Sequence, residues 1–367
     1  MPRPSHQHAR LRLPFAETVS ARVAALAVVG AIGALTLGVS GTSLTTKGAV
    51  ASVAAGGRHP VGVSAARVAQ QRRTAAEAAR SQPHAKAPAH HTRKAAHATH
   101  AAAAGPWMPS GTGMWIYEWK HTNRGDAASI VHRARHFGLS TLYLRTGSSW
   151  DGLNGGRHLA SLLHASSGTN VHIVAWDFPR LRRPWRDAVR LAHAARITAG
   201  PHAARVTAVA PDIETPAEGT FNAAWRVRLY LRTLRARLPH NVSILTAVPW
   251  PSRFRVGNYP YATVAAHSNA LVPMAYWYNN APTVVTARSM SYLRKFHRPV
   301  LPVGQGYDGK LDVPSLRHNN LRVQVPAFLR TARQHGARAV SLWSWQAAPA
   351  VAWNALWRYR EAFSAHH

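Results

Sequence analysis

The sequence contains no cysteine. This absence excludes disulfide bonds, thiolate nucleophiles and zinc sites built on cysteine. A glycine-rich turn of the kind that holds a phosphate group is also missing after the first strand-like run, residues 113–119. Acidic residues are scarce, because the 367 residues include only 13 Asp and Glu against 45 Lys and Arg. The position of each acid is therefore informative.

The positive charge is spread along the chain and is carried almost entirely by arginine. Only six of the 45 basic residues are lysine. An arginine-rich and alanine-rich composition also fits the codon bias of a GC-rich genome, and no base-reading motif accompanies it. We therefore expect no specific nucleic-acid partner, while affinity for anionic surface polymers stays open.

The N-terminal part of the chain predicts export. Residues 1–22 are basic, and residues 23–41 include the apolar run VAALAVVGAIGALTLGV at 23–39. A basic flank before an apolar run stays in the cytoplasm and directs the residues after the run across the membrane. The run is either a retained anchor or a cleaved signal peptide, because its length lies between the two. In both cases we expect an extracellular or cell-surface protein.

The composition changes twice after this run. Residues 42–106 contain no Trp, Tyr or Phe and are rich in Ala, His and Arg. Such a segment cannot bury enough apolar surface to offset the entropy of ordering, so we predict a disordered linker. Its histidines are scattered, and we predict no metal site there. All 13 Trp lie at or after position 107, which predicts a folded domain at 107–367.

Within this domain, a strand-then-helix alternation repeats eight times. The strand-like runs are 113–119, 140–146, 170–178, 205–214, 242–250, 270–278, 298–307 and 338–345. Amphipathic helical stretches such as 126–138, 221–238 and 325–337 separate them. Apolar strands alternating with helices predict a parallel sheet covered by helices. Eight units in this length are typical of a (β/α)8 TIM barrel, with a doubly wound open sheet as the alternative.

Nearly half of the acids lie at or just after the end of a strand-like run. They are Glu118, Asp151, Asp177, Asp212, Glu214 and Asp308. In a barrel, catalytic groups come from these strand ends. Asp212 and Glu214 share a face because they are two residues apart, so one carboxyl should have a raised pKa and could act as a general acid. Asp151 and Asp308 stand beside glycines, where a turn role is equally expected.

Two further acids are candidates for the same mouth. Glu118 closes the first run and Asp177 closes the third, so either could be a second catalytic carboxylate or could bind substrate hydroxyls. Asp126 and Asp187, by contrast, begin helices, where a negative charge suits the helix dipole. We predict a purely structural role for both.

Aromatic and amide side chains crowd the same strand ends. A sugar ring lies flat on an aromatic plane, while its hydroxyls need polar partners. The candidate substrate-binding residues are Trp119, Trp150, Trp176, Trp250, Tyr276, Trp277, Gln305, Tyr307 and Trp345. Trp115 and Trp343 lie inside strands, and we expect them in the core. The mixture of Trp with Asp and Glu favours a carbohydrate ligand.

These residues resemble those of barrel glycoside hydrolases. The run Asp212–Glu214 is similar to the end of the fourth-strand signature of the family 18 chitinases, whose final Glu is the general acid. Met274–Tyr276 resembles their sixth-strand Met-x-Tyr, whose Tyr helps polarise the substrate acetamide. Trp343 or Trp345 is similar to the Trp beneath their sugar subsite. The Asp-x-Glu and the aromatic last strand also resemble the family 25 lysozymes.

The resemblance implies a hydrolase of extracellular or cell-wall polysaccharide, with Glu214 as general acid. Asp212 would tune Glu214 or orient an N-acetyl group that attacks the anomeric carbon; otherwise Glu118 or Asp177 would supply the second carboxylate. No cofactor or metal is implied. The expected partners are a glycan and, through the N-terminal segment, a membrane, and the expected state is a monomer. Two alternatives stay open: a non-catalytic carbohydrate-binding barrel, and a basic surface protein that binds anionic polymers.

Overall fold

The computed structural model describes residues 106–200, 202–313, 315–316 and 319–364. The basic segment at 1–22, the apolar segment at 23–41 and the predicted linker up to residue 105 lie outside the described residues. Within the described part of the chain, no helix is long and apolar enough to cross a membrane.

Strands in the described residues close into a barrel. They are β1 (Gly111–Ile116), β2 (Leu139–Ser148), β3 (Gly152–Leu153), β4 (His172–Phe178), β5 (Ala208–Pro211), β6 (Ser243–Pro249), β7 (Ala270–Ala275), β8 (Val303–Gln305) and β9 (Ala339–Trp343). All except β3 pair in parallel, in the order β1-β9-β8-β7-β6-β5-β4-β2, and β2 pairs with β1. This closure confirms the (β/α)8 barrel over the open sheet. The short antiparallel β3 was not predicted.

Helices follow the strands around the barrel. They are α1 (Ala127–His136), α2 (Gly156–Ser166), α3 (Pro184–Ala194), α4 (Ala224–Arg237), α5 (Arg255–Asn258), α6 (Tyr261–Ala266), α7 (Pro282–Arg294), α8 (Leu321–Gln334) and α9 (Ala350–Tyr359). The three helical stretches named from the sequence overlap α1, α4 and α8. Asp126 caps α1 by accepting hydrogen bonds from the backbone N–H groups of Ala128 and Ser129. The structural role predicted for Asp126 is confirmed.

Alternate side chains of each strand enter two different buried clusters. Trp115 and Val174 belong to the cluster inside the barrel, whereas Ile116 and Ile173 belong to the cluster between strands and helices. Successive strand residues point to opposite sides, so each strand supplies both clusters. The interior is packed rather than hollow, because the Trp115 ring stacks on Tyr143 with centroids 4.4 Å apart. The predicted core position of Trp115 is confirmed.

The carboxyl end of β2 is irregular. Its register against β4 shifts between Arg145 and Gly147. A Cβ atom at Gly147 would lie 2.3 Å from the backbone oxygen of Gly152, so β3 can approach β2 only if this residue is glycine. Arg145 is two residues after Tyr143, which belongs to the inner cluster, and it therefore lies on the inner side of β2 at the barrel mouth.

Candidate active site

Asp212 and Glu214 lie at the carboxyl end of β5 and face the inside of the barrel. Ile213, between them, is buried in the outer cluster, while Ala210 two residues earlier is in the inner one. Two backbone hydrogen bonds hold the segment: Asp212 N–H donates to Asp177 O at 2.9 Å, and Ile213 N–H donates to Ala247 O at 3.1 Å. The predicted shared face of the two carboxylates therefore follows from the strand geometry.

The Asp212 carboxylate is buried and incompletely bonded. The residue is 7% exposed. Among the described residues, its Oδ1 atom has no hydrogen-bond partner. An unpaired buried oxygen is costly and marks a place where a ligand or a shared proton can bind.

The pKa values of both carboxyl groups are raised above those of carboxyl groups exposed to water. Burial, reinforced by the charges of Glu218 and Asp177, raises the pKa of Asp212 to about 7, although Arg145 works in the opposite direction. Burial and the neighbouring charges of Asp212 and Glu218 raise the pKa of Glu214 well above its ordinary value. A proton is therefore retained by the pair near neutral pH, as general acid catalysis requires.

Tyr276 lies beside this pair, at the end of β7. It follows Met274 on the inner face and packs against the inner cluster. Burial raises the pKa of its hydroxyl well above the ordinary value, and the charges of Asp212 and Glu214 add to this rise. The Tyr276 hydroxyl stays protonated and is available as a hydrogen-bond donor at the mouth.

A second group of polar side chains supports the mouth next to Tyr276. The hydroxyls of Tyr278 and Tyr307 lie 3.0 Å apart, and both bond to the Asp312 carboxylate. Gln305 accepts a hydrogen bond from the Tyr278 backbone N–H at 3.1 Å. Gln305 is completely buried, so it positions this loop rather than meeting a ligand.

Aromatic rings line the mouth above Trp115. Tyr117 and Trp176 are stacked at 6.2 Å, and Trp343 lies 5.7 Å from Tyr117 and 5.5 Å from Trp176. Trp176 is 1% exposed and donates through Nε1 to Ile116 O at 3.1 Å, so it supports the floor without offering a free face. Trp343 and Tyr117 are only half-buried. Trp343, expected in the core, is therefore at the mouth.

Trp150 marks the rim of the mouth. Its ring is 51% exposed. It stacks on Phe178 with centroids 5.1 Å apart, and the Arg180 guanidinium lies 4.9 Å from the ring centroid. Phe178 packs against the inner cluster, so Trp150 is joined to the barrel interior by a single ring contact. Its exposed face leaves Trp150 accessible to a ligand.

Asp177 faces the other side of the barrel wall. It shares its side of β4 with Ile173 and Ala175, which belong to the outer cluster. Arg190 of α3 binds both of its oxygens, at 2.6 and 2.7 Å, and also binds Asp187 at 2.8 Å. Burial raises the pKa of Asp177 although Arg190 opposes the shift. This bidentate contact gives Asp177 a structural role and corrects its candidacy as a second catalytic carboxylate.

Glu118 and Trp119 lie beside the mouth, in a cleft that Tyr117 and Arg145 also line. The cleft has a volume of about 330 Å³ and is formed by the segments after β1 and β2. His121 Nδ1 donates to a Glu118 carboxylate oxygen. Trp119 is stacked on His158 with centroids 4.8 Å apart and planes at 7°. The structure thus places Glu118 beside His121.

Several predicted aromatic residues have no free face at the mouth. Trp277 is completely buried against Phe328 in the outer cluster, on the side of the chain opposite to Tyr276. Trp345 is 4% exposed and its Nε1 donates to Asn123 Oδ1 at 3.2 Å. Trp250 packs, half-buried, against the same outer cluster. In this structure a sugar ring cannot stack on Trp277 or Trp345, because helices cover them.

Three charged residues of the site were missed from the sequence. Glu218 lies near Asp212 and Glu214, and its carboxylate accepts hydrogen bonds from the backbone N–H and hydroxyl of Thr215. The spacing of Thr215 and Glu218 is that of a capping box, which could have indicated it. Arg145 and Asp312 lie within or after predicted runs, and no spacing marks them.

The described residues offer no obvious metal centre. Across the described part of the chain, no group of three or more His, Asp or Glu side chains is arranged to hold a metal ion. The site combines two inward carboxyls, one tyrosine and a set of aromatic rings with the charged residues Glu218, Arg145 and Asp312. The carboxyls can donate a proton, and the rings can bind the apolar face of a ligand.

Comparisons with known proteins support the fold. No protein-family model matches the sequence, and no curated protein matches it. Among solved structures, the endo-beta-1,4-mannanase of Thermotoga petrophila is 10% identical with a TM-score of 0.51, over 70% of this chain and 77% of that one. The GH99 endo-alpha-mannosidase of Bacteroides thetaiotaomicron is also 10% identical, with a TM-score of 0.50, over 70% and 97%.

A third solved structure, the GH18 chitinase of Pseudoalteromonas aurantia, is 13% identical with a TM-score of 0.49, over 69% of this chain and 100% of that one. All three proteins are TIM-barrel glycoside hydrolases. At these identities the likeness is one of fold. The first two structures, with TM-scores of 0.51 and 0.50, therefore support the resemblance at the level of the barrel fold alone.

Proposed function

We propose that the barrel hydrolyses glycosidic bonds in an extracellular or cell-wall polysaccharide, with Glu214 as the general acid. The observation that carries this proposal is the inward-facing pair of Asp212 and Glu214, in which burial raises the pKa of both carboxyls and so favours a retained proton. Glu214 donates this proton to the leaving glycosidic oxygen. The half-buried rings of Tyr117 and Trp343 provide surfaces on which a sugar can lie.

The second group in the reaction is supplied by the substrate. Glu118 lies in the cleft beside His121 and Asp177 is bound by Arg190, so neither suits attack at the anomeric carbon. Asp212 and Tyr276 instead orient an N-acetyl group, whose carbonyl oxygen attacks the anomeric carbon as the glycosidic bond breaks. Glu214, now ionised, then takes a proton from the water that opens the resulting ring. Two displacements at one carbon retain its configuration.

The first experiment replaces the proposed acid. A Glu214→Gln variant of the full chain should lose about two to four orders of magnitude of turnover on chitin- or peptidoglycan-type oligosaccharides, whichever the wild type cleaves, whereas a glucan-type oligosaccharide has no N-acetyl group and should not be cleaved by either protein. The matched control is Glu361→Gln, since Glu361 is exposed and pairs with Arg360 at 2.7 Å. Turnover of Glu214→Gln equal to that of Glu361→Gln would remove Glu214 from the mechanism.

One observation favours a second candidate function, a non-catalytic carbohydrate-binding barrel. The two other predicted catalytic carboxylates, Glu118 and Asp177, are engaged by His121 and Arg190. A binding barrel would keep the aromatic mouth without needing the acid. It would bind oligosaccharides with unchanged affinity in the Glu214→Gln variant and would release no product from any of the three substrate types.

The cellular setting of this function is part of the proposal. Residues 1–22 and the apolar residues 23–41 support export and attachment to a membrane, or secretion after cleavage. Residues 42–106 would act as a tether that lets a monomeric barrel reach its glycan. No cofactor or metal enters the proposed reaction.

A further inference from the structure

We propose that the barrel carries a binding strip for a carboxylated polysaccharide, which leads from the mouth across the loops after β4 and β5. We call it the arginine–aromatic strip and define it as Trp150, Arg180, Arg182, Phe221, Trp225 and Arg226. The inference rests on the proposed function and narrows its substrate to a glycan that bears negative groups on sugars beyond the cleavage point.

The strip is continuous. Arg180 connects the rings of Trp150 and Phe221. Its guanidinium lies 4.9 Å from the centroid of the Trp150 ring and 6.0 Å from that of the Phe221 ring. Arg226 then joins Phe221, at 5.7 Å, to Trp225, at 4.4 Å. Rings and guanidinium groups therefore alternate along one surface.

The backbone fixes this alternation in place. The N–H of Phe221 donates to Arg180 O at 2.7 Å, and Arg226 Nη1 donates to the carbonyl oxygens of Leu181 and Arg182 at 2.9 and 3.0 Å. Arg180 Nε donates to Gly219 O at 3.1 Å. The loop after β4 and the start of α4 are thus tied together, and a ligand need not order them on binding.

The strip starts at the candidate active site. Trp150 stacks on Phe178, which packs against the cluster inside the barrel. A polymer bound with one sugar beside Glu214 can therefore continue over Trp150 and onto the strip. This continuity connects the strip with the reaction proposed for the mouth.

Its rings are unusually exposed for their size. Trp150, Phe221 and Trp225 are 51%, 43% and 56% exposed. Large aromatic side chains collected on one surface are typical of interaction sites rather than of inert surface. Guanidinium groups cover part of these rings, and the remaining area is free for the C–H face of a sugar.

Its charges are unbalanced. Among the described residues, none of Arg180, Arg182 and Arg226 forms an ion pair with a carboxylate. The nearby Asp187 is already bound by Arg190. Arginine matches carboxylate groups with two parallel hydrogen bonds, so these guanidinium groups, which have no carboxylate partner among the described residues, fit a ligand that carries carboxylates.

The combination selects one class of polymer. A neutral glycan would use the rings but leave the arginines without partners, and a flexible polyanion would use the arginines but not the rings. A nucleic acid could also use both, but the strip leads from a mouth for which a glycan substrate is proposed, so we argue the glycan and test an oligonucleotide as the competing ligand. A carboxylated glycan has both sugar faces for the aromatic rings and spaced negative charges for the arginines of the strip.

The experiment measures equilibrium binding to the full chain carrying Glu214→Gln, so that hydrolysis does not interfere. The probe is a hyaluronan oligomer, which alternates N-acetylated and carboxylated sugars, and its partner is the same oligomer with carboxylates reduced to alcohols. We expect the reduced oligomer to bind about tenfold more weakly. Arg182→Gln and Trp225→Ala should each weaken binding of the intact oligomer about three- to tenfold.

The chain offers a matched control for Trp225. Trp357 of α9 is also exposed and lies under a guanidinium, that of Arg360, at 4.5 Å. Trp357→Ala should leave binding unchanged. Arg182 is a clean site for substitution because its backbone carbonyl, not its side chain, accepts the bond from Arg226.

Three outcomes would overturn the proposal. They are equal binding of the intact and reduced oligomers, equal effects of Trp225→Ala and Trp357→Ala, and equally tight binding of polyphosphate or of a single-stranded oligonucleotide. None of these bears on whether Glu214 is a general acid, which turnover measurements decide. Strip-dependent binding without turnover in the wild type would instead overturn the proposed hydrolysis and leave the strip.

Discussion

Two neighbouring aspartates end their strands at the same level of the barrel and have opposite environments. The backbone N–H of Asp212 donates a hydrogen bond to the backbone carbonyl oxygen of Asp177 at 2.9 Å. Asp177 points outward, where Arg190 binds both carboxylate oxygens, whereas Asp212 points inward and has an unbonded Oδ1 among the described residues. The helix layer can supply a cation to the first and not to the second. The side of the strand that a carboxylate takes therefore decides whether it stabilises the fold or stays available for a ligand.

The largest change in the free energy of unfolding is expected at Asp177, the aspartate that is paired with Arg190. Arg190→Met removes the cation from two buried carboxylates, Asp177 and Asp187, and should lower the free energy of unfolding by about 3 to 5 kcal/mol. Urea unfolding measures it. Arg186→Met, on the same helix but exposed, is the control and should change stability by less than about 0.5 kcal/mol. Equal stability of the two variants would mean that Arg190 does not hold the barrel wall.

A smaller change of opposite sign in the free energy of unfolding is expected at Asp212, whose Oδ1 has no partner among the described residues. The pKa of Asp212 is about 7 in the folded chain and about 3.9 in an unfolded one. The folded chain therefore binds the proton on Asp212 more tightly than the unfolded chain does. The contribution of Asp212 to the free energy of unfolding consequently falls as the pH rises from about 4 to about 7. Asp212→Asn cannot ionise and should be more stable than the wild type by about 2 to 4 kcal/mol near pH 8.

The same urea experiment at about pH 4 provides the check, because there the difference between Asp212→Asn and the wild type should vanish. Asp177→Asn should instead destabilise the chain near pH 8, since it leaves Arg190 without its full partner. A stabilised Asp177→Asn, or an Asp212→Asn whose stability is no greater than that of the wild type near pH 8, would remove the contrast between the two aspartates.

The smallest effects come from the charges around Asp212. Glu218 raises the pKa of Asp212 and Arg145 lowers it. Glu218→Gln, which keeps an acceptor for Thr215, should move the pH at which stability is lost down by about half a unit, equivalent to about 0.7 kcal/mol. Arg145→Gln should move it up. Shifts in the same direction would show that the two charges do not act on Asp212.

The fold could be predicted from the sequence with good accuracy. All eight predicted strand runs overlap barrel strands, because each is a short apolar run bounded by Gly, Pro or polar residues. The two-residue β3 could not be predicted, since it depends on the bulge at Gly147 and not on a local pattern. The predictions for residues 1–105 stay predictions.

The candidate site could be predicted only in part. The position of Asp212 and Glu214 at a strand end followed from the pattern, and the structure brings them together at the mouth. The roles of Glu118, Asp177, Trp277 and Trp345 could not be read in the same way. These residues stand at strand ends too, but on the side that faces the helices or a cleft beside the mouth.

The sequence by itself determined the number of strand–helix units, the position of the strand ends and the scarcity of acids that makes those ends informative. It did not determine which alternate residues face inward. Both faces of a barrel strand are buried, so the apolar pattern is continuous and carries no label for inside or outside. Only the closure of β1 against β2 assigns the two faces. That closure turns Asp212 and Glu214 toward the mouth and Asp177 toward Arg190.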